Sequence, residues 1–160
     1  MLQSLVKLTV LDLSYNLIND VTPLSGLVEL RVLNLNNNAY IKDISPLKNL
    51  PKLEELMLSN NKIEDIGCIA EFASNVSLSI LNLNDNEIED LKPLTSLVNI
   101  KELYLSYNCF TSISPLVQLG RLRRIVASNN ALFQSISDES IKLNRYFIEE
   151  LRKKGIVVSV

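Results

Sequence analysis

Leu53-Glu54-Glu55-Leu56-Met57-Leu58-Ser59-Asn60-Asn61-Lys62-Ile63 reads L-x-x-L-x-L-x-x-N-x-I. The pattern occurs six times, beginning at Leu8, Leu30, Leu53, Leu78, Ile100 and Leu122, at steps of 22, 23, 25, 22 and 22 residues. Self-similarity at such a period marks stacked repeats and takes precedence over local propensity. The L-x-L centre is strand alternation, with two apolar side chains on one face and the residue between them on the other. The Leu three residues earlier reaches the core from the preceding turn. The Asn falls where the strand ends and the chain bends. Its amide both donates and accepts, so it can satisfy backbone groups freed there. Stacking at about 4.8 Å would place Asn16, Asn38, Asn61, Asn86, Asn108 and Asn130 in one column.

The second half of each unit repeats too. Asp20-Val21-Thr22-Pro23-Leu24, Asp43-Ile44-Ser45-Pro46-Leu47, Asp65-Ile66-Gly67-Cys68-Ile69, Asp90-Leu91-Lys92-Pro93-Leu94 and Ser112-Ile113-Ser114-Pro115-Leu116 follow the first five asparagines. With this D-I-x-P-L segment the chain resembles a leucine-rich-repeat protein over residues 1–135. Within that family it resembles the subfamily containing the protein phosphatase 1 regulatory-subunit type and the bacterial internalins. The expected fold is α/β: a solenoid with a curved parallel sheet of about seven strands and a 3-10 or irregular convex side. It is expected to be right-handed, as parallel crossovers are.

At 160 residues the chain reads as one domain. Repeats occupy 1–136 and a C-terminal cap 137–160. Hydrophobic residues make up 47%, tryptophan is absent and aromatics are few, which fits a core of stacked Leu and Ile. A net charge of −2 gives no electrostatic footprint for nucleic acid. No apolar run reaches the roughly 18 residues of a membrane span, and no signal-peptide pattern opens the chain. Cys68 and Cys109 are two repeat steps apart, beyond the roughly 7 Å limit for a disulfide. Free thiols and small apolar filler are expected, in a reducing compartment. Asn75-Val76-Ser77 matches a glycosylation sequon, a pattern short enough to occur by chance.

Leu2 and Leu5 occupy the places of Leu24 and Leu27, so the chain opens in mid-repeat. A terminal repeat without a cap exposes its core face. A truncated or longer parent and self-association through this end are the expectations. The extra residue in Ala39-Tyr40-Ile41 should bulge. Residues 68–74 lack proline and hold good helix formers, so one or two α-helical turns are expected there, with Ile69, Phe72 and Ala73 inward. Ser137 suits an N-cap, Asp138 and Glu139 the first turn, Arg152-Lys153-Lys154 the last and Gly155 the C′ position. A helix of about sixteen residues is expected, with Ile141, Ile148 and Leu151 on one face and Phe147 beside it. A closing strand over 156–160 completes the cap.

No histidine occurs, which removes Ser-His-Asp and Cys-His catalysis and most zinc sites. No G-x-x-x-x-G-K is present. The chain is read as non-catalytic, with no cofactor. What remains is the concave face, built from the third, fifth and eighth pattern positions. Glu55, Met57, Ile80, Asn82, Asp85, Glu102, Tyr104, Tyr107, Arg124 and Val126 form the candidate protein-binding patch. Tyrosine anchors among charges have interface composition. The bland alternative is that Val and Ile there only satisfy β propensity. The seventh position (Ser14, Asn36, Ser59, Asn84, Ser106, Ser128) is small and polar throughout and reads as structural. The leading expectation is a cytoplasmic or nuclear adaptor or regulatory subunit. The alternatives are an extracellular, internalin-like recognition domain and a regulatory fragment of a larger enzyme.

Overall fold

The computed structural model describes residues 5–74, 77–134 and 137–160. Leu2, and Asn75 and Val76 of the sequon, lie outside the described residues. Seven three-residue strands stack in parallel in chain order. They are β1 (Val10–Asp12), β2 (Val32–Asn34), β3 (Glu55–Met57), β4 (Ile80–Asn82), β5 (Glu102–Tyr104), β6 (Arg124–Val126) and β7 (Val157–Ser159). The register is unbroken: Leu11, Leu33, Leu56, Leu81, Leu103, Ile125 and Val158 are successive partners. One step after each strand, Leu35, Leu58, Leu83 and Leu105 are fully buried. The first repeat is more open. Leu8, Leu11, Leu13 and Ile18 are only half-buried, whereas Leu30, Leu33, Leu35 and Ile41 are sealed.

The asparagine column forms as the spacing predicts. Asn86 Nδ2 donates to Leu58 O of the preceding repeat (2.9 Å) and Leu83 O of its own (3.2 Å), while its Oδ1 accepts from Ile63 N (3.1 Å). Asn38, Asn61, Asn108 and Asn130 likewise reach back one repeat, to Leu13, Leu35, Leu83 and Leu105 O. Asn16, in the first repeat, donates only to Leu13 and Ser14 of its own turn. The seventh-position column is structural as well. Asn36 and Asn84 Oδ1 accept from Ser59 and Ser106 N, both at 2.7 Å, and Ser106 Oγ accepts from Ser128 N.

One joint in the column is incomplete. Among the described residues, Asn61 Oδ1 is the buried side-chain polar atom with no partner. It lies where the preceding repeat carries its extra residue. Tyr40 bulges outward, and Ala39 holds a φ of 60°. The left-handed region costs a residue with a Cβ about 1–2 kcal/mol. Ala39→Gly is therefore expected to stabilise the chain by about 0.5–1 kcal/mol, net of glycine's larger unfolded-state entropy. A raised midpoint in urea unfolding at unchanged slope would check this.

The convex side is built of 3-10 turns: Thr22–Leu24, Ser45–Asn49, Gly67–Ser74, Lys92–Ser96, Ser114–Gln118 and Ala131–Phe133. The repeated aspartate starts four of them, and Ser112 starts a fifth, its Oγ accepting from Ser114 N at 3.2 Å. Asp20, Asp43, Asp65 and Asp90 Oδ1 each accept the N–H two residues on, at 2.6–2.8 Å. Hydrogen bonds from Thr22 and Ser45 hold the carboxyls of Asp20 and Asp43 below their usual range. The expectation of α-helical turns at 68–74 is corrected: all eight residues of this connector are 3-10. It packs against the 3-10 turns Ser45–Asn49 and Lys92–Ser96 on either side, and the same winding keeps it in line with them. Ile69 and Phe72 point inward as expected.

The cap is helix α1 (Asp138–Lys153), of 16 residues. Ser137 Oγ accepts from Ser140 N at 3.3 Å, and Gly155 takes the left-handed φ of 79° that ends the helix. Ile148 and Leu151 are buried; Ile141 and Phe147 are half-buried. Cys68 and Cys109 are free. Cys68 is partly buried against the core, as filler would be, and burial pushes its thiol up to about 11. Cys109 is exposed, so the filler reading is corrected there. It follows the ladder Asn108 and faces out of the bend, while the next residue, Phe110, is buried.

Candidate functional site

The strand pairing orders the candidate patch into two rows. Glu55, Ile80, Glu102 and Arg124 are successive register partners at the start of β3 to β6. Met57, Asn82, Tyr104 and Val126 are the partners at the strand ends. The residue between each pair (Leu56, Leu81, Leu103 and Ile125) is buried, so the flanking side chains stand on the opposite face. All of these side chains are half-buried except Arg124, which is exposed. Half-burial on an open sheet means neighbours shield one another without covering the face. The structure thus brings eight of the candidates into one continuous surface.

Asp85 and Tyr107 are placed differently. The strands are only three residues long, so the eighth pattern position lies in the bend, not on the sheet. Tyr15, Asn37, Asn60, Asp85, Tyr107 and Asn129 all hold φ of 53–58°. Their backbone N–H groups bond to the next repeat where the bend permits, as Asp85 N does to Ser106 O and Tyr107 N to Ser128 O, both at 2.9 Å. Asn and Asp tolerate this conformation because their short polar side chains bond locally. Across the stack, Asn60 Nδ2 also donates to Asn37 Oδ1 of the preceding repeat at 2.8 Å. Tyrosine has no such compensation, and Tyr15 and Tyr107 stand exposed. Every repeat takes this conformation, so it belongs to the bend, and Tyr107 holds it as its counterparts do. Tyr15 was absent from the sequence-derived patch. The signal for it was a large aromatic at a position that Asn or Asp holds in four of the six repeats.

Electrostatics link the rows. Tyr104 hydroxyl donates to Glu102 Oε2 at 2.6 Å, which, with partial burial, pushes the phenol above its ordinary value and keeps it protonated. Asn82 is partly committed, since its Oδ1 accepts from Asn84 N at 3.0 Å to shape the bend. The patch can therefore offer apolar area from Met57, Ile80 and Val126, two aromatic rings and mixed charge.

Sequence reading missed one buried polar group outside this patch. Asn144 on α1 is 2% exposed. Its Nδ2 donates to Thr111 O (2.7 Å) and Leu132 O (2.8 Å), and its Oδ1 accepts from Ile113 N. It continues from the helix the work of the asparagine column. Its position, four residues before Ile148 and seven before Leu151, put it on the apolar face and was the available signal.

The sequence profile of the family described as Leucine Rich repeats (2 copies) matches residues 6–49, 28–74, 51–96 and 76–116. Among solved structures, an internalin of Listeria monocytogenes is 32% identical, with 81% of this chain and 37% of that one covered and a TM-score of 0.74. Internalin C2 of the same species is 26% identical, with 99% and 63% covered and a TM-score of 0.74. A leucine-rich-repeat protein of Leptospira interrogans is 26% identical, with 99% and 38% covered and a TM-score of 0.81. This chain therefore spans less than two thirds of the length of each. A search of curated proteins finds no match.

Proposed function

The chain belongs to the leucine-rich-repeat family, and from that premise we propose that it is a non-catalytic module that binds a protein partner on its concave face. Leucine-rich repeats generally serve as interaction scaffolds. The observation that supports the concave face is the pair of in-register rows from β3 to β6, with Tyr104 on the sheet and Tyr107 at its rim. The sheet is preformed, so little conformational entropy is lost on binding and a few anchors can carry the affinity. Tyr104→Ala/Tyr107→Ala is expected to weaken partner capture by about 30-fold or more, as loss of an interface hot spot does. Quantitative capture from source-cell extracts, with the unaltered chain as reference, checks it. Tyr107→Asn alone should also raise stability by about 0.5–1 kcal/mol by relieving the left-handed tyrosine. An unchanged partner list for the double variant would dismiss the patch.

The 32% identity to an internalin favours a recognition domain of internalin type over a phosphatase-regulatory type of adaptor. The first reading puts the protein outside the cell and the second in the cytoplasm; fractionation of the source cells separates them.

A further inference from the structure

We propose that the rim where the last three repeats enter their strands is a docking ledge for an acidic segment of a protein partner. The proposal deepens the concave-face reading and rests on it for the rest of that partner. Two columns of residues run along this rim, one just before the first pattern position and one just after it. The first is Lys7, Glu29, Lys52, Ser77, Asn99 and Arg121; the second is Thr9, Arg31, Glu54, Ser79, Lys101 and Arg123. In the second and third repeats the charges cancel across the step. Lys52 pairs with Glu29 at 2.7 Å, and Arg31 pairs with Glu54. In the last three repeats the same columns hold no acid. Among the described residues, Lys101, Arg121 and Arg123 are exposed and form no ion pair. They line one concavity of about 400 Å³ together with Gly120 and Leu122.

Three cations of the cap are engaged: Arg152 donates to Val158 O, Lys153 pairs with Glu150, and Lys154 donates to Val117 O. Arg124, one residue on from Arg123, is the register partner of Glu102 and carries the positive charge onto the concave patch. One partner can thus meet both surfaces. Guanidinium groups favour carboxylates, which they bind in a planar, two-bond geometry.

Charge complementarity also selects the class of partner. The opposite rim is acidic: Glu64, Asp65, Glu87, Glu89 and Asp90 line a second concavity there. The whole chain carries a net charge of −2. A cationic ledge one repeat step long, about 5 Å, with an acidic rim across the sheet, suits a short acidic peptide. A nucleic acid or an anionic membrane would bring its negative charge against the acidic rim as well.

The test uses fluorescein-labelled hexaglutamate and the full chain, read by anisotropy at low salt. Hexaglutamate has no apolar anchor, so it reports on the ledge and not on Tyr104 or Tyr107. Lys101→Ala/Arg121→Ala/Arg123→Ala should weaken binding at least tenfold. Lys92→Ala/Lys142→Ala/Arg145→Ala removes the same charge elsewhere and should leave binding within twofold. Equal weakening by both triple variants would reduce the effect to net charge and overturn the ledge. Absence of peptide binding, or binding of phosphatidylserine vesicles in place of the peptide, would overturn it too. Peptide binding retained by Tyr104→Ala/Tyr107→Ala, alongside unchanged partner capture, would sink the concave-face reading and leave the ledge standing.

Discussion

Leu56→Ala is expected to destabilise the chain by about 2–5 kcal/mol, because large-to-small changes at enclosed sites lose both transfer free energy and the contacts around the cavity. Leu56 has no exposed surface and sits at the centre of β3, in register with Leu33 and Leu81 on either side. Neither neighbour can close the void without leaving its own row. Domains of this size are stable by only about 5–15 kcal/mol, so the loss is a large share of the total. Leu11→Ala offers the internal comparison. It occupies the same pattern position in β1 but is half-buried and has a strand on one side only, so it should cost less than half as much. Urea unfolding of the two variants measures the difference. A loss below about 1 kcal/mol at Leu56 would mean that the row relaxes freely, contrary to native packing density.

The second large effect is expected in the asparagine column, and it should vary along the column. Asn86→Ala removes donors to Leu58 O and Leu83 O and leaves the Ile63 amide without its acceptor. A buried group stripped of its partner costs about 1–3 kcal/mol, so a total near 3 kcal/mol is expected. Asn61→Ala should cost less, since Asn61 Oδ1 accepts nothing and no amide is stranded. Asn16→Ala should cost least, being exposed and bonded only within its own turn. The order Asn86, Asn61, Asn16 is the result that matters. Equal losses would show that the amides act through side-chain size alone.

The strands and the cap could be read from the sequence because each rests on local chemistry. L-x-L at a fixed period leaves one arrangement that buries every leucine, and Ser137 and Gly155 bound α1 by their own hydrogen bond and backbone conformation. The connector Gly67–Ser74 could not be read that way. Its composition favours α-helix, and its packing against the neighbouring 3-10 turns is a property of the assembled stack. Asn144 was missed because a polar residue in a helical pattern is read as exposed, while here it serves backbone groups of Thr111, Ile113 and Leu132 that a helix-only view does not contain. For the candidate patch, periodicity was enough to place Glu55, Met57, Ile80, Asn82, Glu102, Tyr104, Arg124 and Val126 on one face. It did not show that the eighth position turns left-handed, nor that the cations of the last three repeats lack partners. Both follow from hydrogen bonds and ion pairs between units about 22 positions apart.

The order of the sheet, with every strand beside its neighbours in the chain, also bears on how such a molecule can change length. No connection passes over another, so a whole period can be excised or duplicated without rethreading the remainder. Joining Ser77 to Ile100 would delete 22 residues and still bring an L-x-L segment and a ladder asparagine opposite their counterparts. Genetic slippage in steps of one winding would then yield foldable offspring, and the reach of the binding surface could be tuned by adding or dropping turns while the residues that close the C-terminal end stay as they are.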